Sequence, residues 1–121
     1  MKYNIFGMYW VNTLTPDNLP SAHKYIGTVE MKEDGTFFGT LYDDFGPAEV
    51  VGKRHDAGMS WTKKYDLSES PNGAKFPIQY NFGGVGYGWF GNIEFDKKEQ
   101  ADSNLVYRTS CVMLPSHCLE I

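Results

Sequence analysis

Gly58-Met59-Ser60-Trp61-Thr62-Lys63-Lys64-Tyr65-Asp66 alternates along its whole length. Met59, Trp61, Lys63 and Tyr65 project to one side of an extended chain, and Ser60, Thr62, Lys64 and Asp66 to the other. A period of two marks a strand with one face on a core and one on water. The segment after it repeats the pattern, with Phe76, Ile78, Tyr80 and Phe82 opposed to Pro77, Gln79 and Asn81. Earlier, Val29 and Met31 oppose Thr28, Glu30 and Lys32.

Turn residues break these runs at intervals of roughly ten residues, the spacing of an all-β domain. They are Asp34-Gly35, Phe45-Gly46-Pro47, Asp56-Ala57-Gly58, Pro71-Asn72-Gly73 and Gly83-Gly84. Eight strands are expected, at 3–11, 25–32, 36–43, 47–54, 58–66, 76–83, 87–95 and 104–113. The stretch from Thr13 to Lys24 is a loop, or a short helical turn started by Pro16, Asp17 and Pro20. The polar run 96–103 reads as a solvated loop. Eight consecutive strands on short turns form a meander, and pairing the last with the first removes both open edges. The expected fold is therefore an all-β, eight-stranded antiparallel up-and-down (meander) barrel spanning residues 1–121 as a single domain. A β-sandwich with longer crossovers is the alternative.

Composition agrees. The 121 residues include 13 glycines and are 16% aromatic, which suits tight turns and pleated surfaces. The net charge of −4 argues against a nucleic-acid partner, since Lys53-Arg54 and Lys63-Lys64 have acidic residues close by. No run approaches the roughly 20 apolar residues of a membrane helix. The first ten residues lack a secretory signal's apolar core, so the chain reads as cytoplasmic, with no membrane partner. Cys111 and Cys118 suit two reduced thiols there; a disulfide would need a sharp turn at Leu114-Pro115-Ser116.

Motifs of catalysis fail on context. Gly86-Tyr87-Gly88-Trp89-Phe90-Gly91 spells a dinucleotide fingerprint, but its flanks are strands and its rings would crowd a phosphate. Asp44-Phe45-Gly46 matches the kinase magnesium motif without its companions and reads as a hairpin turn. His23, His55 and His117 lack metal-ligand spacing, and His117 with Cys111 and Cys118 leaves a fourth ligand missing. His55-Asp56 beside Ser60 lacks a nucleophile elbow. No cofactor is implied.

One position breaks the pattern. Lys63 shares the apolar face of its strand with Met59, Trp61 and Tyr65, where an amine is costly unless paired, hydrated or snorkelling to the barrel mouth. Arg54, in phase with Ala48, Val50 and Gly52, has a weaker form of the same conflict. Rings suited to a pocket or a plain core are Trp10, Trp61, Tyr65, Tyr80, Trp89 and Tyr107. The late strands are apolar on both faces, at Trp89-Phe90, Leu105-Val106 and Cys111-Val112-Met113. That pattern implies a homodimer or higher closed oligomer through Phe90, Val106 and Val112.

The eight-strand meander resembles the calycin group of barrels: lipocalins, fatty-acid-binding proteins and avidins. Gly7-Met8-Tyr9-Trp10 echoes the lipocalin opening, with tyrosine at the matching place and tryptophan one residue late. In that family a basic residue of the last strand packs over the opening tryptophan, a part the resemblance gives to Arg108. Trp10-Val11-Asn12 also resembles an avidin first strand, but the late Trp-x-Gly-Gln stretch is absent and biotin is not implied.

The leading expectation is non-enzymatic binding of a small, partly apolar and potentially anionic ligand inside the barrel. Trp61, Tyr65, Tyr80 and Trp89 would line the site, with Lys63 and Arg54 supplying charge. The alternatives are a filled barrel working through its outer wall as an interaction, inhibitor or structural module, and a barrel isomerase or cyclase using Lys63 or Tyr65 as acid or base.

Overall fold

Each alternating run becomes a strand, and each strand pairs with its successor. They are β1 (Lys2–Val11), β2 (His23–Met31), β3 (Thr36–Asp43), β4 (Gly46–His55), β5 (Gly58–Tyr65), β6 (Ile78–Val85), β7 (Gly88–Glu94) and β8 (Tyr107–Pro115). This computed structural model describes residues 1–11, 22–85, 87–94 and 106–119. Readings at 12–21, Gly86, 95–105 and the Cys118 side chain lie outside the described residues. The sheet is a closed antiparallel barrel in the order β1 to β8, with β8 returning to β1 from Tyr3↔Pro115 to Val11↔Tyr107. The sandwich alternative is excluded.

Alternation sorts the side chains as the sequence requires. Met59, Trp61, Lys63 and Tyr65 are buried while Thr62 and Lys64 are exposed. The interior is built around Trp61. Its ring stacks on Tyr80 at 5.1 Å and meets Phe82 at 4.7 Å, with Tyr25 and Phe37 edge-on at 6.1 and 6.4 Å. Ile5, Val29, Val50 and Met113 fill the gaps. Rings of this size close most of the bore of an eight-stranded barrel.

The ends of the barrel differ. Four connections leave one end: 12–22, the β3–β4 hairpin at 44–45, 66–77 and 95–106. The other end carries the reversals at 32–35, 56–57 and 86–87. The first end is the mouth.

Two expectations of detail are corrected. Gly83-Gly84 is not a turn: β6 runs through it to Val85, with Gly83↔Phe90 and Gly84↔Trp89 in register. The glycine there makes room, since a Cβ at Gly84 would run into the Gly88 carbonyl oxygen and lie 3.2 Å from the Trp89 ring. Trp10 does not line a pocket. It lies one residue out of phase with the buried Tyr9, on the outer wall, with its ring 6.0 Å from Phe90. Arg108 stands opposite it in register and donates to Asn92, also outside.

Asp44-Phe45-Gly46 is a hairpin turn, as read. Gly46 has φ +117, and a side chain there would run into the Ser70 hydroxyl. Gly46→Ala is expected to cost about 1–3 kcal/mol. Urea unfolding should show a lower midpoint at unchanged slope.

Candidate functional site

The inward lysine is paired, and it does not snorkel to the surface. Lys63 is 1% exposed, and its Nζ lies 2.5 Å from Asp43 Oδ2, whose side chain is fully buried. Asp43 is the last residue of β3, in phase with the inward Phe37 and Leu41, so it enters the lumen at the mouth. Its two oxygens do different work. Oδ1 accepts the Phe45 amide at 2.9 Å and shapes the hairpin turn. Oδ2 accepts from Lys63, from the Tyr65 hydroxyl at 2.5 Å and from the Tyr9 hydroxyl at 3.4 Å.

Lys63 spends its other protons on phenols. Nζ donates to Tyr65 Oη at 2.8 Å and to Tyr80 Oη at 3.4 Å. It also lies 4.4, 5.2 and 5.7 Å from the ring centroids of Tyr65, Tyr9 and Tyr80. Such faces stabilise an ammonium. Burial pulls the Lys63 amine below its ordinary pKa, and Asp43 pulls it back up. Burial raises the Tyr9, Tyr65 and Tyr80 phenols, and Asp43 raises each further. They are held as neutral O–H groups.

Above this cluster is a cavity of about 180 Å³. Tyr9, Lys63, Tyr65 and Tyr80 bound it on the polar side, and Ile78, Ile93, Ala74 and Tyr107 on the apolar side. Phe45 and His23 form the rim, His23 stacked on Tyr9 at 4.9 Å and bonded to Asp44 at 2.8 Å. The 66–77 connection is pinned beside it: Ser70 Oγ donates to the Pro47 carbonyl at 2.8 Å, and Gly73 lies under the Tyr65 ring. At ~30 Å³ per water the cavity holds the volume of about six waters, and an apolar cavity of ~150 Å³ is enough for benzene. The space fits one ring with a small substituent.

No family model, curated protein or solved structure matches the chain.

Of the residues singled out in the sequence, Lys63, Tyr65 and Tyr80 meet in this site. Trp61 lies one layer below, in the packed core. Arg54 and Trp89 are at the other end, because Arg54 pairs with Met59 and Lys63 lies four residues, about 13 Å, further along β5. There the Arg54 guanidinium sits over the Trp89 ring at 5.1 Å, and Arg54 borders a separate groove with Met1, Tyr3 and Lys32. The two cations therefore do not share a ligand. Sequence reasoning missed Asp43, Tyr9 and the rim pair Phe45 and His23. Asp43 carried the same signal as Lys63, a charge in phase with an apolar face.

Cys111 is a free, buried thiol whose pKa burial pushes up to about 12. Among the described residues, no group of three His, Cys, Asp or Glu side chains is placed to hold a metal ion.

Removing one partner of a buried ion pair costs about 3–5 kcal/mol, because the other charge is stranded. Asp43→Asn is expected to lose that much stability in chemical denaturation. The double variant Asp43→Asn with Lys63→Met should recover most of it.

Proposed function

We propose that the barrel binds a small, partly apolar molecule in the mouth cavity and does so without chemistry of its own. The observation that carries this reading is the cavity itself: a half-lined apolar space of one-ring size, with the site's polar groups gathered on one wall. Such an arrangement is the usual anatomy of a small-molecule site. The calycin-like resemblance extends to this use of a barrel mouth, by architecture and not by shared residues. An anionic head has little to gain, because Asp43 already neutralises Lys63. Acid–base catalysis gains no observation of its own, since Lys63 and Tyr65 already give their protons to oxygen acceptors.

The test is titration with ethylbenzene, followed by tryptophan emission and by methyl NMR. Ile78 and Ile93 signals should shift saturably, and Trp61 emission should change through its stacking on Tyr80. Ala74→Phe, which fills the cavity, should abolish both responses while the fold persists. Unchanged methyl signals in the wild-type protein would count decisively against the site.

A second reading has its own observation, a stripe of apolar side chains on the outer wall. Val112, Phe6, Ile26 and Tyr42 stand side by side in register across β8, β1, β2 and β3, all exposed. Phe90, 57% exposed, lies on β7 diagonal to Val112, opposite Ser110, and Val106 is exposed separately, just before β8. Contiguous apolar surface of this kind marks interaction sites. We propose a homodimer that uses Phe90, Val106 and Val112. Light scattering at micromolar concentration should give twice the 13.7 kDa chain mass, and Val112→Asp should return it to one.

A further inference from the structure

Within the cluster of Tyr9, Lys63, Tyr65 and Tyr80, the hydrogens find acceptors among the described residues, with Tyr80 the exception. Lys63 gives its three protons to Asp43, Tyr65 and Tyr80. Tyr65 and Tyr9 give theirs to Asp43. Deeper in the barrel, Tyr25 is held between Thr109 Oγ1 at 2.8 Å and the Ser110 carbonyl at 3.1 Å. Tyr80 Oη receives from Lys63, but its own hydrogen reaches no acceptor among the described residues. Tyr80 is 1% exposed and lines the cavity, so an acceptor for its hydrogen has to enter that space. A buried donor left unmade is costly, and a ligand that supplies the acceptor recovers that cost.

The carboxylate oxygens of Asp43 are equally spoken for. Asp43 Oδ1 holds the turn and Oδ2 takes three donors, so a ligand ammonium would find no open carboxylate and would sit beside the Lys63 charge. A ligand carboxylate would bring a full charge to one hydrogen, next to Asp43 and against the apolar wall of Ile78 and Ile93. His23 remains at the rim with its side chain 33% exposed and one nitrogen engaged by Asp44.

We infer that the mouth cavity selects a neutral carbonyl compound of one-ring size, a ketone, aldehyde or amide, whose oxygen accepts from the Tyr80 hydroxyl. This selectivity rests on the binding reading above. It makes Tyr80 the specificity residue, while the Lys63–Asp43 pair fixes Tyr80 in place and keeps the site neutral overall.

The experiment compares four probes of matched size: acetophenone, ethylbenzene, benzoate and benzylamine, titrated by NMR against the wild-type protein and Tyr80→Phe. Acetophenone should bind the wild type at least tenfold more tightly than benzoate or benzylamine. Tyr80→Phe keeps the ring and removes the hydrogen, so acetophenone should weaken about tenfold, the order of one buried hydrogen bond. Ethylbenzene should stay within twofold of its wild-type affinity. Equal weakening of acetophenone and ethylbenzene would reduce Tyr80 to a wall of the cavity and overturn the inference, leaving the binding reading intact. Benzoate binding as tightly as acetophenone would overturn it as well. Silence from both neutral probes would instead bring down the cavity reading, and the selectivity with it.

Discussion

Closure of β8 onto β1 is the constraint on which everything else in this protein rests. The pairing from Tyr3↔Pro115 to Val11↔Tyr107 leaves no free edge and commits every strand to one inward and one outward face. Once the ring is closed, a residue's phase decides whether it meets the lumen. Lys63 is then held inside by its neighbours Trp61 and Tyr65, with a cost that only a partner can offset. Asp43 is that partner, and it can reach because the register of β3, β4 and β5 brings both residues to the same end of the barrel.

A buried ion pair is weak evidence of stability, since desolvating two charges consumes most of their attraction. Here it has a geometric effect that an apolar pair would lack. One carboxylate links the Phe45 turn amide, the Lys63 ammonium and two phenols, so β1, β3, β5 and the hairpin are tied at one point. The consequence is a mouth with a rigid polar wall. The same wall is electrically balanced, which limits what sort of molecule the cavity favours.

The sequence revealed face more readily than height. Alternation around Met59 to Tyr65 was enough to place Lys63 inside, and turn spacing was enough to count the strands. Neither says how far along the axis a side chain sits. Arg54 and Lys63 lie on adjacent strands with inward phase, yet cross-strand register puts them at opposite ends. Trp89 follows Arg54 for the same reason. The Gly83-Gly84 error is of a related kind: glycine signals either a turn or a close approach, and at Gly84 it is the approach of the β7 backbone at Gly88 that requires it. Asp43 was legible in principle, being in phase with Phe37 and Leu41, but its place beside Asp44-Phe45-Gly46 made it look like part of a turn. It serves both the turn and the lumen.

Because phase separates the two faces, the inner site and the outer stripe draw on different residues of the same strands. On β1, Tyr9 serves the cluster while Phe6 faces out; on β3, Asp43 faces in while Tyr42 faces out. The proposed binding inside and association outside therefore would not compete for side chains, and a substitution on one face leaves the other's chemistry in place. They are coupled through backbone register alone. A closed barrel resists a slip in register, since moving any one strand would break pairing on both of its sides. That coupling is stiff: a partner on the outer stripe would change the mouth only by deforming the ring, so the proposed binding and the proposed association would be close to independent.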